Sequence, residues 1–194
     1  MRIVAGNLRG RTLAPPTHDG LRPTSDRVRE AMFNILAHGV EGPAIEGARV
    51  IDLFAGTGAL GLEAISRGAR YCLFVETDAN ARALIRRNVE AFGLTGITRI
   101  FRRDATDLGP AGTMEPFDIA FLDPPYGKGL GEIALAALAE GGWLVDGATL
   151  VLEERAGVEV SLPSGFAPID QRTWGDTQAL FLTWRAAGSG KAAR

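Results

Sequence analysis

Cysteine is nearly absent from the chain. Cys72 stands alone inside the apolar run YCLFVE, which excludes an internal disulfide and fits a packed side chain better than a nucleophile. Histidine is scarce too: His18 and His38 are isolated, and no His/Cys cluster has metal-ligand spacing, so no metal site is expected. No apolar run approaches the roughly 20 residues of a membrane span. The opening MRIVAGNLRGR lacks the apolar centre of a signal peptide, so the expected address is the cytoplasm, with no membrane partner. An excess of positive charge is missing as well. The formal net charge is −2, which excludes a protein that coats nucleic acid through bulk electrostatics, so any such contact must be local.

What is present is an alternation of elements in 194 residues, enough for one sizeable core. Strand-length apolar runs recur at VIDLF from Val50, YCLFV from Tyr71, FDIAFL from Phe117, TLVLE from Thr149 and ALFLTW from Ala179, with a weaker RIFRRD around Ile100. Near-continuous apolar strands indicate a sheet covered on both faces. Helical patterns at 60–67, 80–92 and 132–138 lie between them, which predicts an α/β, doubly wound, mostly parallel sheet. DQRTWGDTQALFLTW reads as strand, Gly-Asp turn, strand, so the sheet should end in an antiparallel hairpin. Residues 1–40 form an expected extension: a short hairpin ending at Pro15, then a helix with Thr24 or Ser25 as N-cap and an apolar stripe of Val28, Met32 and Ile35. Residues 41–186 form the main domain and 187–194 a mobile tail.

FAGTGALG, from Phe54, places Gly56, Gly58 and Gly61 in the spacing of a dinucleotide-binding turn, with Glu76 about 20 residues on. The spacing alone does not choose the ligand. Ligands bind at the carboxyl ends of strands in such a sheet, and four of these ends carry acids: Asp52, Glu76, Asp104 and Asp123. Acids disfavour a pyrophosphate and favour S-adenosylmethionine, which has no phosphate and carries a sulfonium and an ammonium. In that reading Glu76 accepts the ribose hydroxyls, Asp104 takes the adenine amino group, the backbone from Phe54 and Ala55 through Gly56 to Gly58 closes on the methionine part, and Asp52 lies near the ammonium. For each acid alone a helix cap or a solvated strand end stays open, for Asp52 above all.

DPPY, Asp123 to Tyr126, is the more specific signal. The Asp123 carboxylate and the Pro124 carbonyl, with no N–H on Pro125 beside it, can accept both hydrogens of a planar exocyclic amine. Tyr126 offers a ring on which a base extruded from its helix can stack, with Pro125 beside it on the substrate side. Holding the amine this way aims its lone pair at a sulfonium methyl, and Asp123 acts by orientation and electrostatics more than as a strong base.

The stretches VIDLFAGTGALGLEAISRGA, FVETDANARALIRRN and FLDPPYGKGL, with the N-terminal RIVAGNLRGRTL and LRPTSDRVREAMFNIL, resemble the bacterial methyltransferases that modify the exocyclic N2 of a guanine in 16S ribosomal RNA. The resemblance runs from Arg2 to about Trp184. It implies a seven-stranded Rossmann-like sheet, S-adenosylmethionine as donor, and 16S rRNA in the small ribosomal subunit or its assembly intermediate as partner; a monomer is expected. It also implies that Arg22, Arg27 and Arg29, with the N-terminal hairpin, face RNA. The residues themselves leave sister activities open, namely adenine-N6 methylation of DNA or RNA and methylation of a protein glutamine. A nicotinamide-dependent oxidoreductase is the remote alternative, since it would leave DPPY and Asp104 unexplained.

Overall fold

The structure, a computed structural model, describes residues 1–15 and 25–187. The expected site residue Arg22, the alternative cap Thr24 and nearly all of the expected tail lie outside the described residues. Seven strands form one sheet in the order β3-β2-β1-β4-β5-β7-β6. They are β1 (Arg49–Leu53), β2 (Tyr71–Val75), β3 (Thr98–Phe101), β4 (Phe117–Leu122), β5 (Leu144–Arg155), β6 (Phe166–Trp174) and β7 (Thr177–Trp184). Strands β1 to β5 pair in parallel, and β7 pairs antiparallel with both β5 and β6. The order in which the chain adds strands therefore reverses between β1 and β4, where a crevice opens at the carboxyl edge.

Because side chains alternate along a strand, the continuous apolar runs feed two cores. Val50, Cys72, Phe74 and Phe121 pack on one face with α2 (Ala59–Ser66) and α3 (Ala79–Ala91). Ile51, Leu73, Leu122 and Leu152 pack on the other with α4 (Leu130–Glu140). Gly61 is where α2 crosses β2 most closely: a Cβ there would lie 2.4 Å from the Phe74 ring and 2.6 Å from Cys72 Sγ. No helix among the described residues is long and apolar enough to cross a membrane.

The N-terminal extension is built into the first core. Its hairpin closes through the Arg2–Thr12 bridge and Gly10 N–H to Ile3 carbonyl, 2.8 Å. Ile3 and Leu13 join Met32, Phe33 and Leu36 of α1 (Asp26–His38) in the same cluster as the sheet. Ser25 is the N-cap, its hydroxyl accepting from Val28 N at 3.2 Å. The buried stripe of α1 is Arg29, Met32, Phe33 and Leu36, one position off the expected Val28, Met32 and Ile35, which leaves Val28 and Ile35 half-buried.

Arg29 is thus a correction. It was expected to face RNA, and it is fully buried. Glu63 of α2, also fully buried, explains why: its carboxylate accepts from Val4 N (2.8 Å), Ala5 N (3.0 Å) and Arg67 Nε (2.9 Å), and pairs with Arg29 Nε at 3.4 Å. Arg29 also pairs with Asp26 at 2.9 Å and donates to the Arg2 carbonyl. A charge that would be costly to bury alone is compensated from several sides. Arg29 anchors the extension, whereas Arg27 is exposed.

Candidate active site at the carboxyl edge of the sheet

The β1–α2 turn forms the centre of the crevice. Phe54 has φ 57°, the one non-glycine residue with positive φ among the described residues, a conformation that persists only where surroundings impose it. Ala55 N donates to the Val75 carbonyl at 3.2 Å and Gly58 N to the Ala55 carbonyl at 2.7 Å. Gly58, with φ 75°, is the N-cap of α2. These bonds tie the turn to β2.

Glu76 does the same with its side chain. One oxygen accepts from Gly56 N at 2.9 Å and the other from Asp78 N at 2.8 Å. A carboxylate has about four lone-pair sites, so two remain for a ligand diol. Asp104 lies three residues past the end of β3, in the loop, where Thr106 N (2.8 Å) and Thr106 Oγ1 (2.6 Å) both donate to its Oδ1. Those two bonds hold its pKa below the ordinary carboxylate value, so it is an anion that takes part in them through one oxygen only. Glu76 and Asp104 line a cavity of about 220 Å³ together with Phe54, Thr106, Pro125 and Leu130. The expected donor fits these groups: carboxylate acceptors following β2 and β3, with apolar walls from Phe54, Pro125 and Leu130 between them. Arg103 also lines the cavity, its guanidinium donating to the Leu108 carbonyl at 2.7 Å.

Asp52 takes a different position. It is 1% exposed, and its Oδ2 accepts from Gly61 N at 2.9 Å, one of the amides in the first turn of α2 that has no partner within the helix. Burial pushes its pKa well above the ordinary value, offset in part by that amide and reinforced by Asp123 and Glu76. It is not among the residues lining the cavity, and its observed bond is to the turn that shapes it.

DPPY follows β4 directly. Asp123 N reaches the Leu53 carbonyl at 3.5 Å; Pro124 is buried and Pro125 exposed. Two residues not singled out in the sequence hold the segment. Glu154, buried near the end of β5, accepts from Gly127 N at 2.9 Å, and the Tyr126 and Thr177 hydroxyls share a hydrogen bond of 3.2 Å. The signal for Glu154 was present in LVLEER, where adjacent acids close an apolar strand. Burial and the neighbouring Glu154 raise Asp123 to about 7.

This gives a stability prediction. A carboxyl whose folded pKa is raised binds its proton more readily in the folded chain. Folding is therefore favoured at low pH, and stability is lost as pH rises from the unfolded value toward about 7. Asp123→Asn removes that loss, so its gain in Tm over the parent should be larger at pH 8 than at pH 5. Equal gains at both pH values would show that the carboxyl titrates normally.

The family described as Conserved hypothetical protein 95 matches residues 1–183. "Ribosomal RNA small subunit methyltransferase D" of Escherichia coli is 41% identical over 165 residues, covering 84% of this chain and 78% of that protein. "Putative rRNA methyltransferase YlbH" of Bacillus subtilis is 36% identical over 162 residues, covering 82% and 85%. Among solved structures, "Putative methyltransferase yhhF from Escherichia coli" superposes with a TM-score of 0.81 at 34% identity, covering 96% of this chain and 99% of that one.

Proposed function

This chain belongs to the family described as Conserved hypothetical protein 95, and from that membership we propose that it methylates the exocyclic N2 amine of a guanine in 16S rRNA, within the small ribosomal subunit or its assembly intermediate. The coarser statement is simpler: the chain is an S-adenosylmethionine-dependent rRNA methyltransferase. The observation that carries methyl transfer to an exocyclic amine is the meeting of DPPY with the acid-lined cavity, since Pro125 of that segment is also a cavity wall. Guanine N2 as the acceptor rests on the resemblance of the N-terminal stretches.

The donor supplies a methyl group made electrophilic by its sulfonium. Glu76 binds the ribose hydroxyls with its remaining lone pairs, Asp104 orients the adenine amine, and the Phe54–Gly58 backbone bounds the methionine end. Asp123 and the Pro124 carbonyl accept the two amine hydrogens, and Tyr126, held by Thr177, limits the plane in which a flipped base can lie. The amine gains orientation, and attack becomes effectively unimolecular. Asp123 must be ionised to accept without competing as a donor, so kcat/KM should rise with pH through the pKa of the free enzyme. Arg27, exposed on α1, and Arg22 belong to the proposed RNA contact of the extension. The proposal includes a monomer, acting in the cytoplasm.

Donor binding tests the crevice. Hydrogen bonds to a charged group contribute about 1.5–3 kcal/mol each, so Glu76→Ala should weaken S-adenosylmethionine roughly 10-fold or more by calorimetry, with Glu76→Gln in between. NADH binding with no response to the methyl donor would reverse the assignment. Acceptor class tests the function. Labelled donor should mark small subunits or 16S rRNA and leave duplex DNA and glutamine-bearing protein unlabelled; label in DNA or protein would select a sister activity.

A further inference from the structure

A second basic surface lies outside the N-terminal extension. Residues 82–103 carry six arginines, Arg82, Arg86, Arg87, Arg99, Arg102 and Arg103, against one acid, Glu90. Arg82, Arg86 and Arg87 sit on α3, Arg99 on β3, and Arg102 and Arg103 in the loop that follows β3, an edge strand paired only with β2. All but Arg82 are exposed. Among the described residues, the ion pairs use arginines elsewhere, at 29, 49, 67, 70, 172 and 185, and none of these six. In a chain of net charge −2, this concentrates uncompensated positive charge on one edge.

Beside that edge lies a groove of about 470 Å³, lined by Arg49, Tyr71, Arg99, Phe101, Arg103 and Trp143 among others. Phe101 lies under two guanidinium groups, Arg99 at 4.7 Å and Arg103 at 5.1 Å from the ring centroid. Arg49 stacks over Tyr71 at 4.4 Å. Glu115, the acid in the groove, is already paired with Arg49 and Arg70. Arg103 lines both this groove and the donor cavity, so the two lie on either side of one shared residue. At the other end, Arg11 of the hairpin donates to the Ala91 carbonyl at 2.8 Å and stacks over Phe92, so the extension abuts the end of α3.

We propose that the α3–β3 edge is a docking track for single-stranded RNA: Arg86, Arg99 and Arg102 contact phosphates of the strand beside the target nucleotide, and the groove at Phe101 receives an unpaired base. The inference rests on the rRNA reading of the substrate. Charge complementarity selects the occupant, because guanidinium planes on partly exposed rings offer phosphate contacts and a stacking platform together, which an acidic protein surface would use only in part. The track also explains how an acidic chain holds RNA locally.

Binding of the parent and of the Arg86→Gln/Arg99→Gln/Arg102→Gln triple variant to a 16S rRNA fragment and to small subunits would be measured against salt. Each phosphate contact on a single strand contributes roughly 0.7 to the log–log slope, so three lost contacts should flatten it by about 2 and weaken binding roughly 10-fold or more at low salt. The matching triple replacement by lysine should restore the slope, and donor affinity should stay at the parent value in both. A glutamine variant with the parent slope and affinity overturns the track while leaving the rRNA reading intact. Loss of affinity for subunits but not for naked RNA overturns RNA as the occupant. A parent that neither binds nor methylates rRNA overturns both.

Discussion

Asp123→Ala should lower the rate of methyl transfer by roughly 10²–10³ while S-adenosylmethionine affinity changes by no more than a few-fold. The magnitude follows from removing one preorganised hydrogen-bonding arm that acts on the reacting group. The carboxylate is placed by β4 and by a loop whose Gly127 amide is fixed to Glu154, so the Pro-Pro segment should keep its course without the side chain. Asp123→Asn keeps an oxygen acceptor and should retain more activity than alanine. Glu154→Gln removes the neighbouring charge that helps raise Asp123, so the pH dependence of kcat/KM should move to lower pH. Single-turnover rates and calorimetry separate the two effects. Transfer by the alanine variant at the parent rate would remove Asp123 from the chemistry.

The second large effect concerns stability. Glu63→Ala should cost about 3–5 kcal/mol, the usual penalty for leaving a buried charge without its partner. For a domain of this size that lowers Tm by about 10 °C or more. The loss strips Arg29 of its fully buried counter-charge and leaves the Val4 and Ala5 amides without their acceptor. Asp26 and the Arg2 carbonyl, both on Nη2, would then be the remaining partners of Arg29, whose Nη1 has none in the structure. Replacing Arg29 and Glu63 together by apolar residues should cost less than Glu63→Ala alone, because the uncompensated charge leaves with its partner. Urea or thermal melts check this; a Glu63→Ala protein within about 1 kcal/mol of the parent would mean that the extension is held by its apolar contacts alone.

The sheet was legible because its signals are local and repeated. Runs such as VIDLF and FDIAFL need no partner to be recognised, and the Gly-Asp turn between β6 and β7 marks a reversal by itself. The positions of Glu76 and Asp104 were legible for a related reason: the carboxyl end of a strand in this architecture has a known place, although Asp104 stands in the loop three residues past β3. Arg29 was not. Nothing next to it in sequence announces Glu63, 34 residues away, and an arginine between Val28 and Met32 reads as the solvent side of a helix until the third-element partner is seen. Glu154 and Thr177 were missed likewise, since they act on DPPY from β5 and β7 across the sheet. Asp52 shows the converse: its place at the end of β1 was plain, but only packing reveals that its carboxylate bonds to Gly61.

The central claim is that the cradle at Asp123 and Pro124 presents a guanine N2 amine to the methyl donor. Its most direct test is to incubate the protein with isotope-labelled S-adenosylmethionine and small subunits from cells lacking this activity, then digest the rRNA and identify the labelled nucleoside by mass spectrometry. The expected product is N2-methylguanosine at a single position of 16S rRNA, absent with Asp123→Ala. Label in N6-methyladenosine, or none in the RNA, would contradict it.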